Sequence, residues 1–138
     1  MNTQFEKLRV SLRYFLLGAK FYKAADALEF GGGYHVGFRK DGVTPEFQHQ
    51  IEITHYLRTL LPSLMYPEET LTSSILHDVT EDYGVLSSTI AERYGNDVAV
   101  AVNLLDKNGK EPEVYFKGIA GNPIASIVKG GDRIHNLQ

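Results

Sequence analysis

Apolar residues along the chain recur at helical spacing rather than in alternation. Phe5, Leu8, Leu12, Phe15 and Leu16 fall three and four apart, and the stripe continues through Ala19, Tyr22, Ala25 and Leu28. The pattern predicts helix over 4–29, as two helices meeting near Gly18, with Gly31, Gly32 and Gly33 breaking it. Residues 34–45 contain Gly37, Gly42 and the basic pair Arg39-Lys40, and read as a loop. Helical spacing resumes over 45–61 and stops at Pro62. The next helix starts near Pro67, carries Glu68 and Glu69 where acids suit the helix dipole, and is expected to run to about Asp82. A short helix over 87–94 closes at Gly95. The Val/Ala/Leu run over 97–105 fits a strand by composition, but no second strand candidate exists to pair with it, so helix is expected. After a turn-rich stretch over 107–112, two last helices are predicted at 113–119 and 123–137, the second with Pro in its first turn. The expected fold is all-α, a compact single domain over 1–138.

Composition narrows the class without changing that picture. A chain of 138 residues suffices for one domain with a real core. Hydrophobic residues at 43% and charged residues at 22% are ordinary for a globular protein. There is no internal repeat or low-complexity tract. The formal net charge of -3 argues against a general binder of nucleic acid or membrane, so a polyanionic substrate needs a local basic patch. The absence of cysteine removes disulfides, zinc–thiolate sites and thiol catalysis, leaving His, Asp and Glu to hold any metal. Residues 1–9 are polar with charges of both signs and lack a signal-peptide core, and no run approaches a membrane span; a cytoplasmic location is expected.

Three segments carry candidate chemistry. In the first, Leu71, Ser74, Ile75 and Asp78 share one helix face, which places a carboxylate on the buried stripe. An unpaired buried carboxylate is costly, so Asp78 requires a metal, an Arg or several donors. His77 lies beside it, Glu81 is one turn on from His77, and Asp82 one turn on from Asp78. The alternative is an acidic helix end with a solvated histidine. In the second segment, His49 borders the apolar face of Ile53, Tyr56 and Leu60, while His55 points to the polar side. A lone histidine there is also compatible with a hydrogen-bonded structural role. The third segment is Lys129-Gly130-Gly131-Asp132-Arg133-Ile134-His135-Asn136. Two glycines in a helix cost roughly 1 kcal/mol each, tolerated where something approaches the backbone closely. Asp132 follows Ile124 and Val128 at helical spacing and borders the core, with Asn136 a turn further; an ordinary charged helix end is the alternative. His49, His77, Asp78 and Asp132 together supply two imidazoles and two carboxylates. Such a set suits a divalent ion, with Mn2+ or Mg2+ ahead of Fe2+ or Zn2+.

The order His…His-Asp…Asp resembles the HD phosphohydrolase superfamily. Over about 24–138, three groups of residues narrow the resemblance. They are Arg39-Lys40-Asp41-Gly42 with Pro45 and His49, then Leu76-His77-Asp78-Val79-Thr80-Glu81-Asp82, then Val128 to Asn136. Together they resemble the hydrolase domain of RelA/SpoT-type proteins and the small alarmone hydrolases. HDxxED joined to DRxHN at this distance is a specific pairing. The resemblance implies the helical HD-domain fold and Mn2+-dependent removal of the 3′-pyrophosphate from (p)ppGpp. It implies His49, His77, Asp78 and Asp132 as metal ligands, and Glu81 and Asp82 as the residues that activate and orient water. Arg39 and Lys40 would contact phosphates, Asn136 would position the nucleotide, Lys129 matches a family lysine, and Tyr34 and His35 fall where relatives approach the base. Two departures touch the pocket wall. The usual Pro-Tyr-Ile-x-His-Pro is here Pro45-Glu46-Phe47-Gln48-His49-Gln50, and the usual Leu-Ala before the last Asp is Gly130-Gly131. Relatives continue into further helices past the position of Gln138, so either a longer chain or a homo-oligomer is expected to close the pocket. The expected partner is a small-molecule nucleotide: a guanosine alarmone first, then a nucleoside mono- or triphosphate or NADPH. A non-catalytic nucleotide-binding module is the third reading.

Overall fold

The computed structural model describes residues 3–137; Met1, Asn2 and Gln138, the ends of the expected domain, lie outside the described residues. Nine α-helices form among the described residues: α1 (Thr3–Gly18), α2 (Tyr22–Tyr34), α3 (Phe47–Arg58), α4 (Pro67–Leu76), α5 (Val79–Tyr83), α6 (Ser87–Tyr94), α7 (Asn96–Leu105), α8 (Pro112–Ala120) and α9 (Pro123–Asn136). The expected all-α fold is observed. One isolated bridge, Phe38 to Pro45, closes the loop between α2 and α3. Among the described residues no helix is long and apolar enough to cross a membrane.

Helix α4 is the hub and packs against α2, α3, α7 and α9. Every residue from Thr70 to Leu76 is buried, and the core around Leu71, Ile75 and Leu76 takes in Phe47, Ile51 and Leu57 of α3 and Ala101 and Val102 of α7. Helices α3 and α4 also meet through polar side chains. There the Thr54 hydroxyl donates to the Gln50 carbonyl and lies 2.8 Å from the Ser74 hydroxyl, so the buried polar atoms are paired. The punctuation anticipated at Gly95, Pro112 and Pro123 is present, and the run at 97–105 is helix α7.

Three expectations are corrected. Gly31, Gly32 and Gly33 do not break α2, which continues to Tyr34. A Cβ on Gly31 would lie 3.3 Å from the ring of Phe47, so Gly31 and Gly32 leave room for that side chain beside α2; burial of Phe47, 1% exposed, offsets their helix cost of roughly 1 kcal/mol each. The helix from Pro67 stops at Leu76 instead of reaching Asp82, and α5 starts anew at Val79. At this break His77 Nδ1 donates to the Ser74 carbonyl at 2.7 Å, an acceptor that an uninterrupted helix offers to the Asp78 amide. Finally, α3 ends at Arg58, and Pro62 lies inside a single 3₁₀ turn, Leu61–Ser63.

Candidate metal centre

The break between α4 and α5 determines which way the His-Asp pair faces. His77 turns inward and keeps 4% of its surface, whereas the Asp78 side chain is 26% exposed and borders the cleft. This reverses the expectation that Asp78 is the inward-facing member, because the helix carrying it does not continue in register from Leu71. The packing of α9 on α3 brings the third segment in. A Cβ on Gly131 would stand 3.1 Å from Ile53 Cγ2 and 3.2 Å from Leu57 Cδ2, a close helix–helix approach of the expected kind. Gly130 is different, since nothing lies within 4 Å of its Cβ position.

Across that contact His49 Nε2 lies 2.8 Å from Asp132 Oδ1. His77 Nε2 lies 3.8 Å from the same oxygen and 3.3 Å from Asp78 Oδ2. One ligand atom from each of His49, His77 and Asp132 falls within 4.8 Å of the others, a group that could hold a metal ion. The donor chemistry fits a cation. His77 spends its Nδ1 proton on Ser74, and its Nε2 is buried with no hydrogen-bond partner. Burial alone would lower the His77 pKa, but Asp78 and Asp132 outweigh it and raise it to about 9. Burial would likewise raise Asp132, yet the adjacent imidazoles of His49 and His77 hold its carboxyl well below the usual range. The pocket favours positive charge at the point where these groups converge. Asp78 stands beside this three-residue group, its Oδ2 accepting from Gln50 Nε2 at 3.0 Å. The unusual residue after His49 is therefore a buried donor to the Asp78 carboxylate.

A cavity of about 200 Å3 opens on the group and is also lined by Glu81, Lys129 and Asn136. Glu81 Oε1 accepts from the Lys107 amide at 3.0 Å, which ties the α7–α8 connection to α5. Lys129 Nζ lies 3.5 Å from Asp132 Oδ2 and 5.6 Å above the Tyr115 ring, and Asn136 Nδ2 lies 3.5 Å from Asp132 Oδ1. A wider adjoining cavity carries Arg39, Lys40, Asp78 and Asp82. Burial, then the charges of Asp78, Glu81 and Glu46, lift the Asp82 pKa to about 6.

The basic pair sits on a tight turn. Arg39 N donates to the Thr44 carbonyl at 2.8 Å, Gly42 takes φ of +74°, and Asp41 Oδ1 accepts from the amides of Val43 and Thr44. A clasp joins this loop to α5, with Glu46 Oε1 accepting from the Gly37 amide at 3.1 Å and from the Tyr83 hydroxyl. That bond raises the Tyr83 pKa to about 12. Tyr34 and His35 line neither cavity. His35, 3% exposed, stacks on Phe47 at 5.6 Å between ring centroids, and Tyr34 packs on Phe30. His55, expected on the polar side, instead donates from Nε2 to the Leu8 carbonyl at 2.9 Å and docks α1 on α3.

Sequence reasoning gave no role to Gln50, Glu52, Tyr83 or His135, all of which touch the site or its supports. The signal for Glu52 and His135 was their spacing of three from His49 and from Asp132, which puts each on the same helix face as its neighbour.

Fold and site together define an all-helical protein with a partly buried His/Asp group able to hold a metal beside an open cleft. No protein-family model matches the chain. Over 98 residues, 62% of the chain, it is 28% identical to a probable GTP pyrophosphokinase of Mycobacterium leprae (strain TN). The match spans 12% of that protein's length.

Proposed function

We propose that the chain is an HD-type, metal-dependent phosphohydrolase that removes the 3′-pyrophosphate from a guanosine alarmone in the cytoplasm. The observation carrying the reading is the convergence of His49, His77 and Asp132, from α3, the α4–α5 break and α9, on one partly buried group beside a cleft. These three residues, with Asp78 at the edge, would hold the ion. A carboxylate-rich set without thiolates favours Mn2+ or Mg2+. When bound, such an ion polarises a phosphoryl oxygen and acidifies water.

The chain's own residues supply the rest. Glu81 and Asp82 take the proton that the attacking water loses, as general bases. Arg39 and Lys40, on their rigid turn, neutralise the phosphates and give an acidic protein its local basic patch. Asn136 and Lys129 orient the nucleotide from α9. Water adds to the phosphorus nearest the ribose, the bond from that phosphorus to the 3′-oxygen breaks, and that oxygen leaves as a hydroxyl by taking up the proton the carboxylates removed from water. ppGpp thus gives GDP and pyrophosphate.

The similarity to a probable GTP pyrophosphokinase supports a guanosine nucleotide as substrate. That name describes pyrophosphate transfer by the whole relative, of which the matched part is 12%. The residues gathered here are instead suited to hydrolysis. A second reading, hydrolysis of another nucleotide, is favoured by the altered pocket wall at Gln50, whereas the change at Gly131 falls in the contact of α9 with α3.

The test is a nucleotide panel given to Mn2+-loaded and chelator-treated protein, with products identified. Pyrophosphate from ppGpp, lost on chelation, supports the proposal; phosphate released from a different nucleotide supports the second reading. Asp78→Ala is expected to abolish turnover, and a fully active variant would mean the centre is wrongly assigned.

A further inference from the structure

Two side chains outside the candidate ligand set form a chain of contacts that ends on one of its members. His49 Nδ1 lies 2.7 Å from His135 Nδ1, and His135 Nε2 lies 3.2 Å from Glu52 Oε2. The other Glu52 oxygen accepts from Gln48 Nε2 at 2.7 Å, so the carboxylate is held from both sides. Both links join α3 to α9, one helical turn beyond the contact of His49 with Asp132.

The direction of each hydrogen bond follows from what each atom can do. A carboxylate only accepts, so His135 Nε2 must carry a proton to bond Glu52. A neutral His135 then has a bare Nδ1, which can only accept. Its partner, His49 Nδ1, must therefore donate, and a neutral His49 that donates from Nδ1 has its lone pair on Nε2. That is the nitrogen facing Asp132 and His77. No other assignment of two neutral imidazoles satisfies both bonds, and it leaves the bare His49 Nε2 2.8 Å from Asp132 Oδ1, two lone-pair donors that a shared cation would satisfy. With the ring rotated or the proton on the other nitrogen, His49 would offer the cation an N–H instead of a lone pair. His77 solves the same problem differently, through the Ser74 carbonyl.

We propose that His135, held by Glu52, is a positioning residue that fixes the ring proton of His49 on Nδ1 and so presents His49 Nε2 as a metal ligand. The inference rests on the metal-centre reading above and adds to it a support shell that the ligand set alone does not contain. Outer partners of this kind commonly change metal affinity by about 10–100-fold.

The experiment is Mn2+ binding by isothermal titration calorimetry on the whole chain, comparing wild type with His135→Phe and His135→Asn. His135→Phe removes the acceptor and is expected to weaken Mn2+ binding about 10–100-fold. His135→Asn can place its carbonyl oxygen near the Nδ1 position, and is expected to restore affinity to within about threefold of wild type. With Zn2+ as a diamagnetic probe, long-range proton–nitrogen NMR is expected to show the His49 proton on Nδ1 in wild type. If His135→Phe fails to fold, Glu52→Leu, which breaks the far link, must weaken Mn2+ binding in the same way. Wild type and His135→Phe binding Mn2+ equally would overturn the relay alone. A wild type that binds no Mn2+ would overturn the metal centre and the relay together.

Discussion

The two adjacent glycines of α9 make opposite demands, and substituting each in turn tests how α9 meets α3. At Gly130 an added Cβ meets nothing within 4 Å, so Gly130→Ala gains only helix propensity, about 0.8–1.0 kcal/mol. At Gly131 the same atom already stands 3.1 Å from Ile53 Cγ2 and 3.2 Å from Leu57 Cδ2. Both neighbours are core residues with 1% exposure, so withdrawing either one presses on other core side chains. Gly131→Leu adds three further carbons to that space. Overpacking typically costs about 1–3 kcal/mol, and this buried contact belongs near the upper end. Set against a propensity gain of about 1 kcal/mol, the net loss is about 1–2 kcal/mol. The site should register the change as well, because the same contact sets the 2.8 Å approach of His49 to Asp132. Urea unfolding measures the stabilities and Mn2+ titration the geometry. The expected result is a more stable Gly130→Ala with unchanged Mn2+ affinity, and a less stable Gly131→Leu that binds Mn2+ more weakly. A Gly131→Leu variant as stable as wild type would refute the close approach.

Other predictions address the supports of the site. His55 is neutral in the fold, donating to Leu8 and accepting from Arg58 Nε, and burial, then the Arg58 charge, lowers its pKa below 6.5. A depressed pKa contributes stability that is full above the unfolded value and is lost as pH falls through the folded one. Wild type should therefore lose more melting temperature than His55→Gln between pH 7 and pH 5, and parallel curves would contradict the docking role. Tyr83→Phe removes the hydroxyl that fastens the Arg39-Lys40 loop through Glu46, a bond of about 1 kcal/mol. It should raise KM about fivefold with little change in kcat or Mn2+ affinity; a fall in kcat alone would assign Tyr83 a different role.

What the sequence disclosed and what it hid differ in physical origin. The helix boundaries at Gly95, Pro112 and Pro123 rest on local backbone chemistry, and those were legible. The reading of 97–105 as helix needed only the absence of a partner strand. The association of His49, His77 and Asp132 was legible through the order and type of residues. Hidden were the features decided by contacts between distant segments. Gly31 reads as a breaker until Phe47 is seen to occupy the space that its missing side chain leaves. The break after Leu76 has no proline or glycine to announce it, and comes with the His77 ring reaching back to Ser74. With that break the Asp78 face is no longer set by periodicity from Leu71. The contact of His135 with His49 joins residues 86 apart, which no local pattern encodes.

The central claim is hydrolysis at a metal centre, and the name of the matched relative makes synthesis the sharpest contrast. The direct measurement is phosphorus NMR of Mn2+-loaded protein given ppGpp in one tube, and ATP with GTP in another. The account predicts GDP and pyrophosphate in the first, at a rate lost in Asp132→Asn, and no transfer in the second. AMP and pppGpp accumulating in the second tube, with ppGpp left intact in the first, would contradict it.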